Sequence, residues 1–259
     1  MGKRAPSRRT TDSNTYRFFV DPAVIHGDVV ELTDRGLVHQ LGSVLRLQPE
    51  QCITLLDNAG RAYTVLLDQI DKHVVRGTVV EQAAAGGEPQ LELTLYMALV
   101  RSERFEWVLQ KGTELGIRSF VPLLCERSLL SGADAITPAK LERWQRIIRE
   151  AAEQARRGRL PSLQPPQAFG PVCTSLHEPE QAVLLWEKSG VESLRSRLTR
   201  GPQLSTIFSG PEGGWSDDEH NLAVNAGITL VSLGPRTLRA ETAPLVAATA
   251  VLYTAGDLD

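Results

Sequence analysis

The sequence predicts an α/β protein with a mostly parallel sheet and helices on both faces, preceded by a small β-barrel domain. From residue 91 onward, hydrophobic strand-like runs alternate with helical segments, which is the pattern of parallel βα units. Residues 16–80 instead contain short strand-like runs separated by Asp, Asn and Gly turns, which favours a small barrel. The stretch Ala83–Pro89 between them has no periodic apolar residues, so we expect a domain boundary there.

Composition limits the classes of protein that the chain can represent. With 259 residues and 42% hydrophobic content, it can bury one large core or two modest ones. Neither an apolar run of membrane-spanning length nor an N-terminal hydrophobic region is present, so we expect no membrane partner and no secretory signal. The three cysteines are widely spaced, which predicts neither disulfides nor a metal site and favours the cytoplasm. The net charge of −3 means that nucleic-acid binding would need local basic patches.

The N-terminal part divides into three predicted segments. Residues 1–15 are rich in Lys, Arg, Ser and Thr and are expected to form a disordered basic tail, which either touches phosphate or is simply solvated. Residues 16–84 form the barrel domain, with a helical segment around His39 and Arg46, and residues 85–90 form the linker. The predicted barrel strands are Tyr16–Val20, Asp28–Leu32, Cys52–Leu56, Ala62–Leu67 and His73–Val80.

Residues 91–259 form the predicted α/β domain. Ser216 and Glu219 make an S-x-x-E capping box, so a helix begins there, and Gly227 is placed to end it. Pro244 is placed to open the last helix. The other predicted elements are strands Leu91–Val100, Ser119–Leu124, Ala182–Glu187, Leu204–Ser209 and Ile228–Leu233, and helices Glu103–Leu115, Pro138–Arg157 and Val191–Leu198.

Two loops near the C-terminus predict a ligand site. The first loop, Gly210–Gly214, and the second loop, Leu233–Ala243, each follow a predicted strand. Glycine-bearing turns at the carboxyl ends of parallel strands form a ligand crevice, although plain connecting loops are the alternative. Neither loop has the residues of a P-loop or of a Rossmann turn, so nucleotide phosphates are not the expected guest. A ligand with a flat ring fits the loops better: the ring would lie between Leu233 and Leu238, and backbone groups would form hydrogen bonds with its polar edge.

Arginines cluster along the predicted helix Pro138–Arg157 and just beyond it. An apolar stripe that includes Trp144 and Ile148 occupies one face of this helix. Pairs of opposite charge four residues apart are also typical of an ordinary solvated face, which is the alternative. The excess of arginine near Gly158 favours a site for a phosphate backbone at Arg156, Arg157 and Arg159.

With these segments in place, the sequence resembles the bacterial 16S ribosomal RNA uridine-N3 methyltransferases of the SPOUT class, the RsmE type. The resemblance covers about residues 16–255. The first loop and the Leu-Arg-x-Glu-Thr-Ala segment of the second, in this order and about thirty residues apart, make it specific. The other matching stretches are Gln110–Gly116, Glu150–Gln154 with Arg157, Leu233–Gly234, and His39 with Val44–Arg46.

The resemblance implies features that the residue patterns do not. The barrel would be PUA-like, the parallel sheet would be of the SPOUT type, and the last segment would form a C-terminal trefoil knot, which general topology rules make nearly absent. The cofactor would be S-adenosylmethionine, the partner 16S ribosomal RNA or the 30S subunit, and the protein a homodimer. Arg156 is one departure, since family members commonly have glycine there.

The cofactor-binding residues are carried over from the same resemblance, and the catalytic and RNA-binding residues are candidates for the chemistry that it implies. Arg239 would stabilise the deprotonated uridine nitrogen as the candidate catalytic cation, together with Glu241; the alternative is a structural ion pair between them. The RNA-binding candidates in the barrel are Arg17, His39 and Arg46, with a core position as the alternative for His39. No residue is assigned as a general base. The cofactor-binding candidates are Leu185, Trp186, Glu187, Gly210, Pro211, Gly213, Gly214, Leu233, Gly234, Leu238, Thr242 and Ala243.

Two other functions remain open at the level of sequence. One is a SPOUT methyltransferase that acts on another RNA or on a ribose hydroxyl. The other is a non-catalytic RNA-binding ribosome-assembly factor that has kept the fold. Loss of several loop residues is expected in such a relic, and both loop segments are intact in this chain.

Overall fold

A computed structural model describes residues 16–128, 136–188, 190–201 and 203–258. The predicted basic tail, residues 1–15, lies outside the described residues. The chain divides into two compact units between Gly86 and Gly87, within the stretch predicted as a linker.

The first unit is built on a six-stranded sheet of order β1-β4-β5-β6-β3-β2. The pair of β1 and β4 is parallel, and the other pairs are antiparallel. The helix α1, Arg35–His39, is capped by Asp34, whose side chain accepts a hydrogen bond from the amide of Leu37, and it continues into a π-helical turn over Gln40–Val44. The strands are β1 Arg17–Phe19, β2 Ile25–His26, β3 Val29–Leu32, β4 Cys52–Leu56, β5 Arg61–Ile70 and β6 Val75–Ala84.

The second unit contains an eight-stranded sheet in which all strand pairs among the described residues are parallel. Its order is β10-β8-β7-β13-β11-β14-β12, and β9 pairs with β8. The strands are β7 Thr94–Ala98, β8 Ser119–Leu124, β9 Ser162–Leu163, β10 Gln167–Ala168, β11 Ala182–Leu185, β12 Glu192–Ser193, β13 Thr206–Ser209 and β14 Thr229–Ser232. The helices are α2 Ser102–Leu115, α3 Pro138–Gln154, α4 Phe169–Ser175, α5 Leu194–Arg200, α6 Asp217–Asn225 and α7 Thr242–Thr254.

Two apolar cores flank this sheet. One contains residues of α2, α3, α5 and α7, such as Phe105, Trp144 and Val251. The other contains residues of α4 and α6, such as Phe169 and Ala223. The prediction of a parallel α/β sheet with helices on both faces is therefore confirmed.

The ends of the helices follow from their capping residues. Both hydrogen bonds of the Ser216 capping box are present at the start of α6. Thr137 caps α3 directly before Pro138, and Gly116 ends α2 with a left-handed φ of 113°. The last helix starts at Thr242 instead of Pro244, so Pro244 lies inside its first turn, where its missing N–H costs nothing.

The prediction that Arg157 belongs to a phosphate-binding surface is wrong, because its side chain is buried in the second unit. It is 2% exposed, and its guanidinium donates to both oxygens of Glu88 and to the carbonyls of Thr113 and Ile117. Glu88 also accepts from the amides of Gly158 and Arg159. The acidic residue of the predicted linker thus anchors the chain that leaves α3.

Candidate active site

A cavity lies at one edge of the parallel sheet of the second unit. The strands β13 and β14 flank β11 and run parallel to it, so the segments that follow these three strands meet at the same edge. They enclose a cavity of about 460 Å³. Its lining residues are Arg104, Arg127, Leu185–Lys188, Ser209–Glu212, Gly214, Trp215, Leu233–Ala240 and Ala243.

Ten of the twelve predicted cofactor-binding residues line this cavity. Gly213 does not, because it lies against the loop after β8: a Cβ there would sit 3.2 Å from the Cβ of Arg127. Thr242 is also absent from the lining and is the first residue of α7. The lining members of the predicted set are Leu185, Trp186, Glu187, Gly210, Pro211, Gly214, Leu233, Gly234, Leu238 and Ala243.

The first loop is held in place by Trp215, which the sequence analysis did not assign to the site. The indole nitrogen of Trp215 donates to the carbonyl of Leu185 over 3.0 Å, which joins the loop to the end of β11. The ring is buried and passes so close to Gly210 that a Cβ there would lie 2.7 Å from the indole nitrogen. Gly214 has a φ of 71° and donates to the carbonyl of Pro211. Glycine is therefore required at two positions of this loop, for space and for left-handed backbone.

We expect Gly210→Ala to weaken cofactor binding by about tenfold or more. The added methyl group would overlap the ring of Trp215, and in a close-packed site the ring has to move away from its present position. Calorimetric titration with S-adenosylmethionine measures this. Gly170→Ala is the matched control, because a Cβ at Gly170 meets its nearest neighbour, a methyl of Leu222, only at 3.9 Å. If the two variants bind S-adenosylmethionine with equal affinity, the position of Trp215 does not affect the cofactor site.

The second loop begins with a turn held by Ser232. The hydroxyl of Ser232 accepts from the amide of Gly234 over 3.1 Å, and Gly234 has a φ of 110° with open space where a Cβ would stand. The loop ends where the amides of Thr242 and Ala243 donate to the carbonyl of Arg239 and α7 begins. Arg239 therefore sits at a fixed point of the backbone with a side chain that is 76% exposed.

The cavity wall carries an excess of positive charge. Its cations are Arg104, Arg127, Lys188, Arg236 and Arg239, whereas Glu187 and Glu212 are its carboxylates. Glu241 is not part of the wall. The carboxylate of Glu241 lies 4.0 Å from the guanidinium of Arg239 and 3.7 Å from that of Arg104. The predicted catalytic residue Glu241 thus forms ion pairs with two neighbouring arginines and does not itself line the cavity.

Arg104 and Arg127 were missed by the sequence analysis. Arg104 lies in the first turn of α2, just after β7, and Arg127 follows β8. Arg127 donates to the carbonyl of Trp215. They could have been predicted from the strand directions: β7 and β8 are parallel to β13, so the residues that follow them lie at the same edge of the sheet as the two loops.

The buried cysteines of this unit are not candidates for nucleophiles. Cys125 and Cys173 lie in the core between the sheet and the helices α4 and α6, and neither lines the cavity. Burial, followed by the nearby charge of Glu219, raises the pKa of both thiols, that of Cys173 to about 12. Both cysteines therefore stay protonated at neutral pH.

The predicted RNA-binding residues occupy different environments. Arg156 and Arg159 are exposed, and Arg156 has a φ of 59°, a left-handed conformation that suits glycine better. His39 and Arg46 are exposed on the first unit, so the alternative of a core histidine at position 39 is wrong. Arg17 is partly buried in β1. Within the described ranges, no cluster of side chains suits a metal ion and no helix has the length and apolar character of a membrane span.

Comparison with known proteins identifies the family. A family model described as "RNA methyltransferase domain" matches residues 87–252. Ribosomal RNA small subunit methyltransferase E of Synechocystis sp. is 38% identical over 235 residues, which cover 90% of this chain and 75% of that protein. The protein of the same name from Bacillus subtilis is 32% identical over 224 residues, covering 83% and 87% of the two chains.

A solved structure is similar over nearly the whole chain. Ribosomal RNA small subunit methyltransferase E of Neisseria gonorrhoeae, bound to S-adenosyl methionine, superposes with a TM-score of 0.81 at 30% identity and covers 93% of this chain and 98% of its own. The parallel sheet, the cavity at its edge and these relatives agree. The chain belongs to the RNA methyltransferase family that includes the ribosomal RNA small subunit methyltransferases E.

Proposed function

We propose that this protein is an S-adenosylmethionine-dependent methyltransferase that methylates N3 of a uridine in 16S ribosomal RNA. The observation that carries the proposal is the cavity between the two loops with Arg239 exposed at its wall. Family membership supports the reaction class, and the Neisseria gonorrhoeae relative binds S-adenosyl methionine.

The residues of the cavity suit this cofactor. A volume of about 460 Å³ lies within the usual range for small-molecule sites. Leu233 and Leu238 offer apolar surface to an aromatic ring, and the glycines of both loops let backbone groups reach a polar rim. The carboxylate of Glu187 is placed to attract a cationic ligand. When bound, the cofactor supplies a methyl group that is already electrophilic because it is attached to a positively charged sulfur.

The task left to the protein is to orient the uridine and to favour its deprotonated form. If the pKa of N3 lies ~2 units above ambient pH, ionisation costs about 2.7 kcal/mol. One cation placed beside the developing negative charge in a dry site can offset that cost. Arg239 is the cation we assign to this role, because its guanidinium is at the cavity wall and its one ion pair with a described residue, Glu241, is long, 4.0 Å.

The RNA contacts are also proposals. N3 lies on the Watson–Crick edge, so the target uridine has to be unpaired or extruded before it is methylated. We propose that the first unit is a PUA-like barrel that holds RNA through His39 and Arg46, and that Arg156 and Arg159 bind phosphates from the second unit; all four side chains are exposed. Arg157 is removed from this group because it is buried.

We also propose the trefoil knot. Support comes from β14, which lies between β11 and β12 and pairs with both. The chain that follows β14 goes on to α7, which packs against β13 and α2 on the other side of β11. This path favours threading of the C-terminal segment through the loop that joins β11 to β12.

A homodimer is the oligomeric state that we propose, in the cytoplasm, where the ribosomal RNA is. The helix α7 is rich in Ala, Val and Leu on all its sides, and helices of this kind are normally buried. In the monomer, however, Tyr253 is 65% exposed and Val246 is 43% exposed. A second copy of the chain would cover them.

We expect Tyr253→Glu combined with Val246→Lys to halve the molar mass measured by light scattering, because charges replace apolar surface that the dimer would bury. Val80→Lys is the control, since Val80 is 56% exposed on the first unit. A monomeric wild-type protein would refute the dimer.

The function is tested with purified protein, S-adenosylmethionine and either 30S particles or free 16S ribosomal RNA. We expect mass spectrometry of the nucleosides to find 3-methyluridine. Methylation at a ribose hydroxyl would instead favour a methyltransferase with another target atom. A complete absence of cofactor binding in calorimetry would favour the non-catalytic assembly factor.

A further inference from the structure

Arg104 lies between the two loops of the cavity, and the proposed mechanism gives it no role. It lies in the first turn of α2 and lines the cavity. Its guanidinium forms a salt bridge with Glu212 of the first loop, and a second one at 3.7 Å with Glu241 of the second loop. Arg104 thus connects the first loop to the second loop, which carries the candidate catalytic residue Arg239.

The burial of these side chains makes the pairs more than ordinary surface contacts. The side chains of Arg104, Glu212 and Glu241 are 33%, 21% and 15% exposed. Charges at such positions are less screened by water than those on an open surface, so the attraction between each carboxylate and its nearest arginine is stronger. A carboxylate as enclosed as that of Glu241 needs a cation beside it.

Two arginines compete for Glu241. The guanidiniums of Arg104 and Arg239 lie 3.7 Å and 4.0 Å from the same carboxylate oxygen, Oε1. The other oxygen, Oε2, is buried and has no hydrogen-bond partner among the described residues. Among the described residues, Arg239 is the other cation within 4.0 Å of Glu241, so it would be the nearest one left if Arg104 were removed. It would then be drawn toward Glu241 and away from the cavity.

We propose that Arg104 is a positioning residue for the methyl transfer. By pairing with Glu212 and Glu241 it fixes the two loops relative to each other and keeps Arg239 available to the uridine. This inference rests on the proposed uridine methyltransferase function. Arg104 does not contact the reacting atoms in this scheme; it acts through Arg239.

The first test uses single variants in the 3-methyluridine assay. We expect Arg104→Met to lower kcat about ten- to a hundredfold, because a misplaced catalytic group costs factors of this size. The Kd for S-adenosylmethionine should change less than about threefold. Arg104→Lys should recover only part of the kcat, because it retains the charge but lacks the guanidinium fork that reaches both Glu212 and Glu241. Arg101→Met is the control, since Arg101 is exposed in the same segment and does not line the cavity.

The second test is the double variant Arg104→Met with Glu241→Gln. Without its negative charge, Glu241 no longer attracts Arg239, so the double variant should have a higher kcat than Arg104→Met alone. A purely structural role for Arg104 predicts the opposite, because two lost contacts then add. A double variant no faster than the single one would overturn the proposal, as would a wild-type kcat in Arg104→Met.

Two further outcomes are distinguishable. If Arg104→Met does not fold, Glu212→Gln provides the test: the proposal expects a reduced kcat with near-normal cofactor affinity, and an unchanged kcat would overturn it. If the wild-type protein itself forms no 3-methyluridine, the proposed function fails, whatever the variants do.

Discussion

Arg239→Ala is expected to lower kcat about a hundred- to a thousandfold, which is the usual effect of removing one group that stabilises charge in the transition state. The Kd for S-adenosylmethionine should change little, because the Arg239 side chain, at 76% exposure, contributes little to the packing of the loop. Steady-state methylation assays measure kcat, and calorimetric titration measures the Kd.

Arg236→Ala is the matched control for this prediction. Arg236 lies three residues earlier in the second loop, is exposed and also lines the cavity. Removing it tests whether a loss reflects general positive charge or the particular position of Arg239. Equal losses in kcat and in cofactor affinity for Arg239→Ala would move this residue from catalysis to binding.

Arg157→Met is expected to destabilise the protein by about 3 kcal/mol, the lower end for a broken buried ion pair, because Glu88 is 21% exposed and keeps the more distant Arg118 at 4.0 Å. Glu88 would lose both guanidinium contacts, and the carbonyls of Thr113 and Ile117 would lose their donor. Denaturant unfolding followed by circular dichroism measures this change.

Two comparisons separate this effect from a loss of surface charge. Arg146→Met, on the exposed face of α3, should change the free energy of unfolding by less than about 0.5 kcal/mol. Adding Glu88→Gln to Arg157→Met should recover part of the loss, because the amide oxygen can still accept from Gly158 and Arg159. Normal stability with weakened RNA binding in Arg157→Met would contradict the buried position.

Much of the fold was predictable because its elements carry strong local signals. The strands Cys52–Leu56 and Ser119–Leu124 have the predicted bounds, and α6 begins at the predicted cap. The strands β9, β10 and β12 have two residues each, too few for any period to show. The helix α4 is seven residues long and contains Gly170 and Pro171, residues that normally indicate a turn.

The site was predictable where the backbone needs glycine and not where side chains come from distant segments. Both loops were found from their glycines and from their places after strands. Arg104 and Arg127 depend on which strands are neighbours, and a local pattern does not contain that order. Arg157 was misassigned for a similar reason: its partner, Glu88, is 69 residues away, and an arginine near a helix end looks the same whether it faces water or a buried carboxylate.

Nucleoside mass spectrometry of 16S ribosomal RNA tests the central claim most directly, on cells that lack this gene and on the same cells complemented with wild-type protein or with Arg239→Ala. We expect 3-methyluridine to be absent without the gene, restored by the wild-type protein and strongly reduced with Arg239→Ala. Undiminished 3-methyluridine in cells that lack the gene would contradict the claim that these two loops hold a methyl donor against a uridine.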